Sequence, residues 1–142
     1  MKGKFYFLAV LAVLVSGCGE NKLTQCEQIF RIVKGVNQSS QNVSYTSGGE
    51  LTTMKIWLET ATLMNQAANK IQALHVNNSD LIAYQNQLVT VYRIYSQATY
   101  DAVKARENQN FQALESAKND AQKAGQMQQD LIEEINAYCL NI

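Results

Sequence analysis

Apolar residues recur at intervals of three and four along four long stretches of the chain, which is the spacing of one face of an α-helix. The pattern predicts helices over roughly 23–40, 50–76, 80–107 and 111–138. The predicted buried faces include Leu23, Cys26, Ile29, Phe30, Val33, Val36, Leu51, Met54, Leu58, Ala61, Ala68, Ile71, Leu74, Leu81, Tyr84, Leu88, Val91, Tyr95, Ala98, Ala102, Phe111, Leu114, Ala117, Ala121, Ala124, Leu131, Ile135 and Tyr138. We therefore expect an all-α domain.

Short polar runs separate the predicted helices. Gly, Asn, Ser and Gln dominate the segments 38–49, 77–79 and 108–110, and these residue types favour turns and helix caps. The chain has no Pro, which suits long uninterrupted helices. Four amphipathic helices with short connections favour an up-down-up-down four-helix bundle. The alternative is a three-helix bundle on which the first helix docks loosely.

The N-terminal segment has the layout of a secretory signal. Two lysines precede an unbroken apolar run over 5–15, and the small pair Ser16-Gly17 follows before Cys18. The run is too short to stay in a bilayer as a spanning helix. The sequence VSGC at 15–18 resembles the lipobox of bacterial lipoproteins, in which the signal is removed before the cysteine and the thiol is lipidated. The alternative is an ordinary signal peptide with a chance cysteine.

The lipobox resemblance implies three parts for the chain. Residues 1–17 would be a lipoprotein signal peptide, 18–22 the lipidated Cys18 with a tether, and 23–142 the four-helix bundle. The mature protein would be exported and held on a bacterial membrane by acyl chains such as palmitate. It would face the periplasm, a lumen or the cell surface.

The two remaining cysteines predict a disulfide. Cys26 lies near the start of the first predicted helix and Cys139 at the end of the last, and these positions share one end of an up-down-up-down bundle. An exported chain meets an oxidising compartment. The bridge would stabilise the fold by about 4 kcal/mol in the chain-entropy model. Two buried free thiols or an intermolecular bond are the alternatives.

The charged and titratable residues argue against several functions. Twelve basic residues balance twelve acidic ones, so nucleic acid is not expected as a partner. The single histidine, His75, is interpreted as a surface residue rather than a metal ligand with Asp80. Phosphate-binding loops, CxxC pairs and Glu-x-x-His motifs are absent from the sequence. We expect no catalytic residues, no metal, no cofactor and no enzymatic activity, and we interpret the many Gln and Asn residues as a dispersed polar surface.

A tyrosine-rich stretch over 84–100 is the most distinctive part of the predicted third helix. Its second face, together with the only tryptophan, forms a candidate contact surface, because Trp, Tyr and Arg are enriched at binding hot spots. The alternative is that these rings pack at the core margin with wet hydroxyls. The candidate contact surface consists of Trp57, Tyr92, Arg93 and Tyr100.

Four short segments carry a second resemblance. Thr24-Gln25-Cys26, Tyr84, Val91-Tyr92-Arg93 and the EINAYC sequence at 134–139 are similar to segments of small exported proteins of cyanobacteria. Those proteins share a Gln-Cys start, a central Tyr-Arg helix and an Ile-Asn-x-Tyr-Cys end. The resemblance covers most of the chain after Cys18, implies a helical fold and assigns no activity.

The expected function is that of a lipid-anchored, non-enzymatic binding or accessory module at a membrane-associated protein complex. The partners would be the membrane, through the anchor, and a protein. The alternative is a small-ligand carrier with a pocket between the helices, lined by Trp57, Tyr84 and Tyr95.

Overall fold

The computed structural model describes residues 21–46 and 53–140, and it describes side chains over 21–39 and 54–140. The expected signal peptide at 1–17, the lipidation site Cys18, Leu51 and the start of the second predicted helix at residue 50 lie outside the described residues. Among the helices of the described part, none combines the length and the apolar character that crossing a membrane requires.

Four helices make up the described chain, confirming the predicted all-α four-helix bundle. They are α1 (Lys22–Thr46), α2 (Thr53–Gln72), α3 (Ser79–Glu107) and α4 (Phe111–Leu140). No strand occurs in the residues described. The third helix, α3, packs along both α2 and α4, whereas α1 packs chiefly on α2. Because α1 buries Cys26, Ile29, Val33 and Val36, it belongs to the core, and the three-helix alternative is not needed.

Three cross-links show that the helices alternate in direction. A disulfide joins Cys26 near the start of α1 to Cys139 near the end of α4. The Gln25 side chain bonds to the turn between α2 and α3, and Tyr138 bonds to Asn78 at the start of α3. The start of α1, the end of α2, the start of α3 and the end of α4 therefore meet at one end. We call residues 21–29, 71–82 and 135–140 the latched end, and residues 54–60 and 95–122 the distal end.

Two of the predicted helix boundaries are wrong. The first helix was expected to give way to a loop from Gln38, but α1 continues to Thr46. Its last residues are polar but contain neither Gly nor Pro, and residues such as Gln, Ser and Asn cost a helix only a few tenths of a kcal/mol each. The second helix was expected to reach Val76, but α2 ends at Gln72.

The early end of α2 has a cause on the neighbouring helix. The last carbonyl groups of any helix lack partners within it. The buried side-chain amide of Gln85, on α3, donates to the carbonyl oxygens of Ile71 at 2.7 Å and Leu74 at 3.0 Å. These bonds satisfy carbonyls that a longer α2 would have used, so the chain turns toward α3 instead.

The turn between α3 and α4 is a Schellman motif with an unusual residue in it. The Asn110 N–H donates to the Ala105 carbonyl at 2.9 Å, and the Gln109 N–H to the Arg106 carbonyl at 3.1 Å. Gln109 has a φ of 55°, the left-handed conformation that Gly adopts most easily. The Asn110 side chain then accepts from the Ala113 N–H at 3.0 Å and caps α4.

Several residues expected on buried faces are exposed. Phe111, the first residue of α4, is 78% exposed, and Leu23 and Met54 lie in the first turn of their helices. A helix start projects beyond its neighbours, so periodicity alone overestimates burial there. Leu58 is also exposed and lines a shallow groove beside Ser39 of α1.

Candidate functional site

The predicted disulfide is confirmed at the latched end. The Sγ atoms of Cys26 and Cys139 are 2.04 Å apart and their Cα atoms 6.2 Å apart, and both residues are buried. The bridge joins positions separated by 113 residues. It connects α1 to α4, two helices that otherwise touch little.

A buried glutamine holds the same end of α1. Gln25 is 1% exposed, and its Nε2 donates to Asn77 Oδ1 at 2.6 Å. Its Oε1 accepts from the backbone N–H groups of Asn77 at 3.0 Å and Asn78 at 3.3 Å. Burial of an amide costs free energy unless its polar atoms are hydrogen-bonded, and both the nitrogen and the oxygen of the Gln25 amide have partners. Gln25 therefore ties α1 to the turn between α2 and α3.

The end of α4 is held by a tyrosine. Asn78 caps α3, because its Oδ1 accepts from the N–H groups of Asp80 at 3.1 Å and Leu81 at 3.0 Å. The Tyr138 hydroxyl lies 3.0 Å from that same oxygen and 3.0 Å from Asp80 Oδ2. Since two backbone groups already occupy the Asn78 oxygen, the carboxylate is the stronger acceptor for the tyrosine proton. Partial burial raises the pKa of Tyr138, and its hydrogen bond to Asp80 raises it further.

The same tyrosine also contacts a cation and a second ring. The Lys22 Nζ lies 3.9 Å from the centre of the Tyr138 ring, within the range of a cation–π interaction. The Tyr84 ring centre is 5.6 Å from that of Tyr138. Tyr84 therefore packs against Tyr138 of the latched end. The expectation that Tyr84 lines a pocket together with Trp57 and Tyr95 is wrong.

One member of the candidate contact surface is in the core. Tyr92 has no exposed surface, and its hydroxyl accepts from Gln128 Nε2 at 3.3 Å. Burial raises the pKa of Tyr92 to about 12. The expectation that Tyr92 lies on a surface is wrong because α3 packs against two neighbours, so that residues on more than one of its faces are buried.

The other three members contact different neighbours. Arg93 is exposed and donates to Gln72 Oε1 at 2.6 Å. The Tyr100 hydroxyl shares a hydrogen bond with Thr62 Oγ1 at 3.0 Å. Trp57 is half-buried, and the Arg106 guanidinium carbon lies 5.7 Å from the centre of its ring. Their role as a contact surface stays a prediction.

A cleft of about 480 Å³ opens at the distal end between α2, α3 and α4. Two aromatic side chains line it, Trp57 from α2 and Tyr95 from α3. Ala102 and Ala121 line it from facing helices, and their short side chains leave the volume open. The remaining lining residues are polar: Thr60, Thr99, Glu115, Lys118, Asn119 and Gln122. We call these ten residues the distal cleft.

Tyr95 lies close to α4 at Gly125. A β-carbon on Gly125 would lie 3.5 Å from Cε2 of Tyr95, an ordinary van der Waals distance, so an alanine would also fit there. Gly125 follows Ala121 by one helical turn, which places both on the same face. The Tyr95 ring thus lies beside Gly125, and the distal cleft opens one helical turn away beside Ala121.

The polar rim of the distal cleft is electrically balanced. Glu115 and Lys118 contribute one charge of each sign, and Asn119 and Gln122 contribute amides. Within the described residues, no hydrogen bond or ion pair engages these four side chains. The arrangement combines two aromatic side chains with unbonded polar groups, and its six polar lining residues make it more polar than most small-molecule sites.

The described residues contain no cluster of three or more His, Cys, Asp or Glu side chains that could hold a metal ion. His75 and Asp80 are both exposed. No protein-family model, curated protein or solved structure matches the chain.

Proposed function

We propose that the chain is a lipid-anchored, non-enzymatic binding or accessory module at a membrane-associated protein complex. The observation that carries the proposal is the position of the latched end. Cys18 precedes the start of α1 by four residues, so a lipid on it would hold the latched end within about 14 Å of the bilayer surface. The distal end would then face away from the membrane, toward a partner.

The anchor is tested by removing its attachment site. The full chain with a C-terminal tag is produced in a bacterial host fed with labelled palmitate, and membranes are separated from soluble protein. We expect the wild-type chain to carry label in the membrane fraction and the Cys18→Ser variant to carry none. A Cys26→Ser, Cys139→Ser double variant is the matched control and should stay labelled. Equal labelling of wild type and Cys18→Ser would contradict the proposal.

The partner is tested by affinity purification of the lipidated chain from its own membranes, followed by mass spectrometry. We expect a reproducible partner that is lost in the Tyr100→Ala variant at the distal end. The Ile82→Ala variant, which removes an exposed apolar side chain at the latched end, should retain the partner. Recovery of no specific protein from wild type would contradict an accessory role.

The distal cleft favours a second function, that of a small-ligand carrier. A volume of about 480 Å³ falls within the range of pockets that bind small molecules. Native mass spectrometry of protein purified without denaturant measures whether a molecule accompanies the chain. We expect the native protein to have a mass above that of the lipidated chain, and the extra mass to disappear when unfolding releases the bound molecule. The mass of the lipidated chain alone would contradict the carrier function.

A further inference from the structure

The distal cleft restricts the kind of ligand it can accept. Its lining contains one carboxylate, on Glu115, and one amine, on Lys118, and so carries no net charge; Arg106 contacts the Trp57 ring but does not line the cleft. A phosphate or sulfonate would need an excess of positive charge at a site where Glu115 opposes it. A strongly cationic ligand would meet Lys118. Charge balance therefore favours a neutral molecule.

The inner lining of the distal cleft restricts the shape of the ligand. Trp57 and Tyr95 present flat aromatic surfaces, and flat rings stack on such surfaces with a gain beyond simple burial. The methyl side chains of Ala102 and Ala121 are too short to fill the volume between the helices. Hydrogen-bonding groups of the ligand fit the edge, where Asn119 and Gln122 have no protein partner within the described residues.

We propose that the distal cleft binds a neutral, flat, ring-containing molecule, with its rings against Trp57 and Tyr95 and a polar edge toward the amides of α4. The inference rests on the carrier function and names the chemical class of its ligand. It does not depend on the lipid anchor, so it is tested on the full chain carrying Cys18→Ser, which removes the proposed attachment site.

The single tryptophan makes the test direct. Trp57 is the only tryptophan of the chain, so its fluorescence reports on the distal cleft alone. The probes are N-phenyl-1-naphthylamine, which is neutral, and 1-anilinonaphthalene-8-sulfonate, which carries the same ring systems and one negative charge. We expect saturable quenching of Trp57 with one neutral probe per chain, and about tenfold weaker binding of the sulfonate.

Two exposed charges test the selectivity without disturbing the fold. In the Glu115→Gln variant Lys118 is left as the only charge of the cleft, so the sulfonate should bind several-fold more tightly while the neutral probe is unaffected. The Lys118→Gln variant should weaken sulfonate binding further. Equal affinity of both probes in wild type and in both variants would overturn the charge argument.

The location is tested by filling the cleft. Ala121→Leu should weaken the neutral probe at least about tenfold. Ala137→Leu adds the same side chain to an exposed position on α4 at the latched end and should leave binding unchanged. Non-saturable quenching, or equal binding by both variants, would overturn the site. A co-purified ligand that Ala121→Leu retains would refute this site but not the carrier function. Probe binding at the cleft without any co-purified molecule would refute the carrier function but not the site.

Discussion

The two ends of the bundle are built in different ways. At the latched end a disulfide, the buried Gln25 amide and the Tyr138 hydroxyl each join residues of different helices. At the distal end α2 and α3 are joined by the exposed Tyr100–Thr62 hydrogen bond and by Arg106 against the Trp57 ring, and the distal cleft opens between α2, α3 and α4. The disulfide and the buried Gln25 amide therefore lie at the end of the bundle opposite the distal cleft.

Of the changes that test this comparison, breaking the disulfide should lower the free energy of unfolding most. Reduction of the Cys26–Cys139 bond removes a constraint on a loop of more than 100 residues and should lower the free energy of unfolding by about 4 kcal/mol. Urea denaturation with and without reductant measures it. The Cys26→Ser, Cys139→Ser double variant should be insensitive to reductant. Identical midpoints for oxidised and reduced wild type would mean that the latched end does not depend on the bond.

Removing the Gln25 amide should have the next largest effect. Gln25→Ala leaves the N–H groups of Asn77 and Asn78 without their acceptor and should cost about 2–3 kcal/mol, measured by denaturation. Gln38→Ala, on the exposed surface of the same helix, is the control and should change stability by less than about 0.5 kcal/mol. Equal costs for the two variants would show that the bonds of Gln25 do not distinguish the latched end.

Alkaline pH should destabilise the core around the buried Tyr92, which lies between the two ends. The pKa of Tyr92 is raised to about 12, from an ordinary value of 10.0, because burial disfavours the phenolate. The unfolded chain therefore loses its Tyr92 proton near pH 10 and the folded chain only near pH 12. The free energy of unfolding should fall by about 2–3 kcal/mol between these pH values. Chemical denaturation between pH 9 and 12 measures the loss, which should be smaller in Tyr92→Phe. The same pH dependence in both proteins would assign the loss to other groups.

The smallest predicted effect is a gain in stability from a substitution at the distal end. Gln109→Gly relieves a left-handed conformation in the turn between α3 and α4 and should raise the free energy of unfolding by up to about 1 kcal/mol. Asn108→Gly, at a position with a φ of −84°, is the control and should bring no gain. A loss of stability in Gln109→Gly would show that the Gln109 side chain contributes more than its backbone strain costs.

Periodicity in the sequence was sufficient for the number and order of the helices and for the disulfide, but not for two of the helix boundaries. Cys26 and Cys139 could be paired in advance because chain direction alternates in a four-helix bundle, so their heights follow from their positions along the chain. Burial of Tyr92 could not be predicted in this way, because a helix with two packed neighbours buries more than one stripe. Its neighbour in sequence, Arg93, remained exposed.

The amide side chains show a second limit of sequence reasoning. Gln25 and Gln85 are buried and bond to the turn after α2 and to the end of α2 itself, although dispersed glutamines were expected to face solvent. Their partners are backbone groups of residues brought close only by folding. The distal cleft likewise depends on which alanines face each other across α3 and α4. Trp57 and Tyr95 could be named from sequence, but the balanced rim of Glu115 and Lys118 could not.

The capping oxygen of Asn78 has a consequence for the order in which the molecule is made. Asn78 caps the start of α3, yet the Tyr138 side chain that bonds to its oxygen is synthesised 60 residues later, and Cys139 follows Tyr138 directly. The ribosome synthesises α1, α2 and α3 before either residue exists. The Cys26–Cys139 bond and the Tyr138 hydrogen bonds can therefore form only after nearly all of α4 has been made, so the latched end cannot be completed earlier in synthesis.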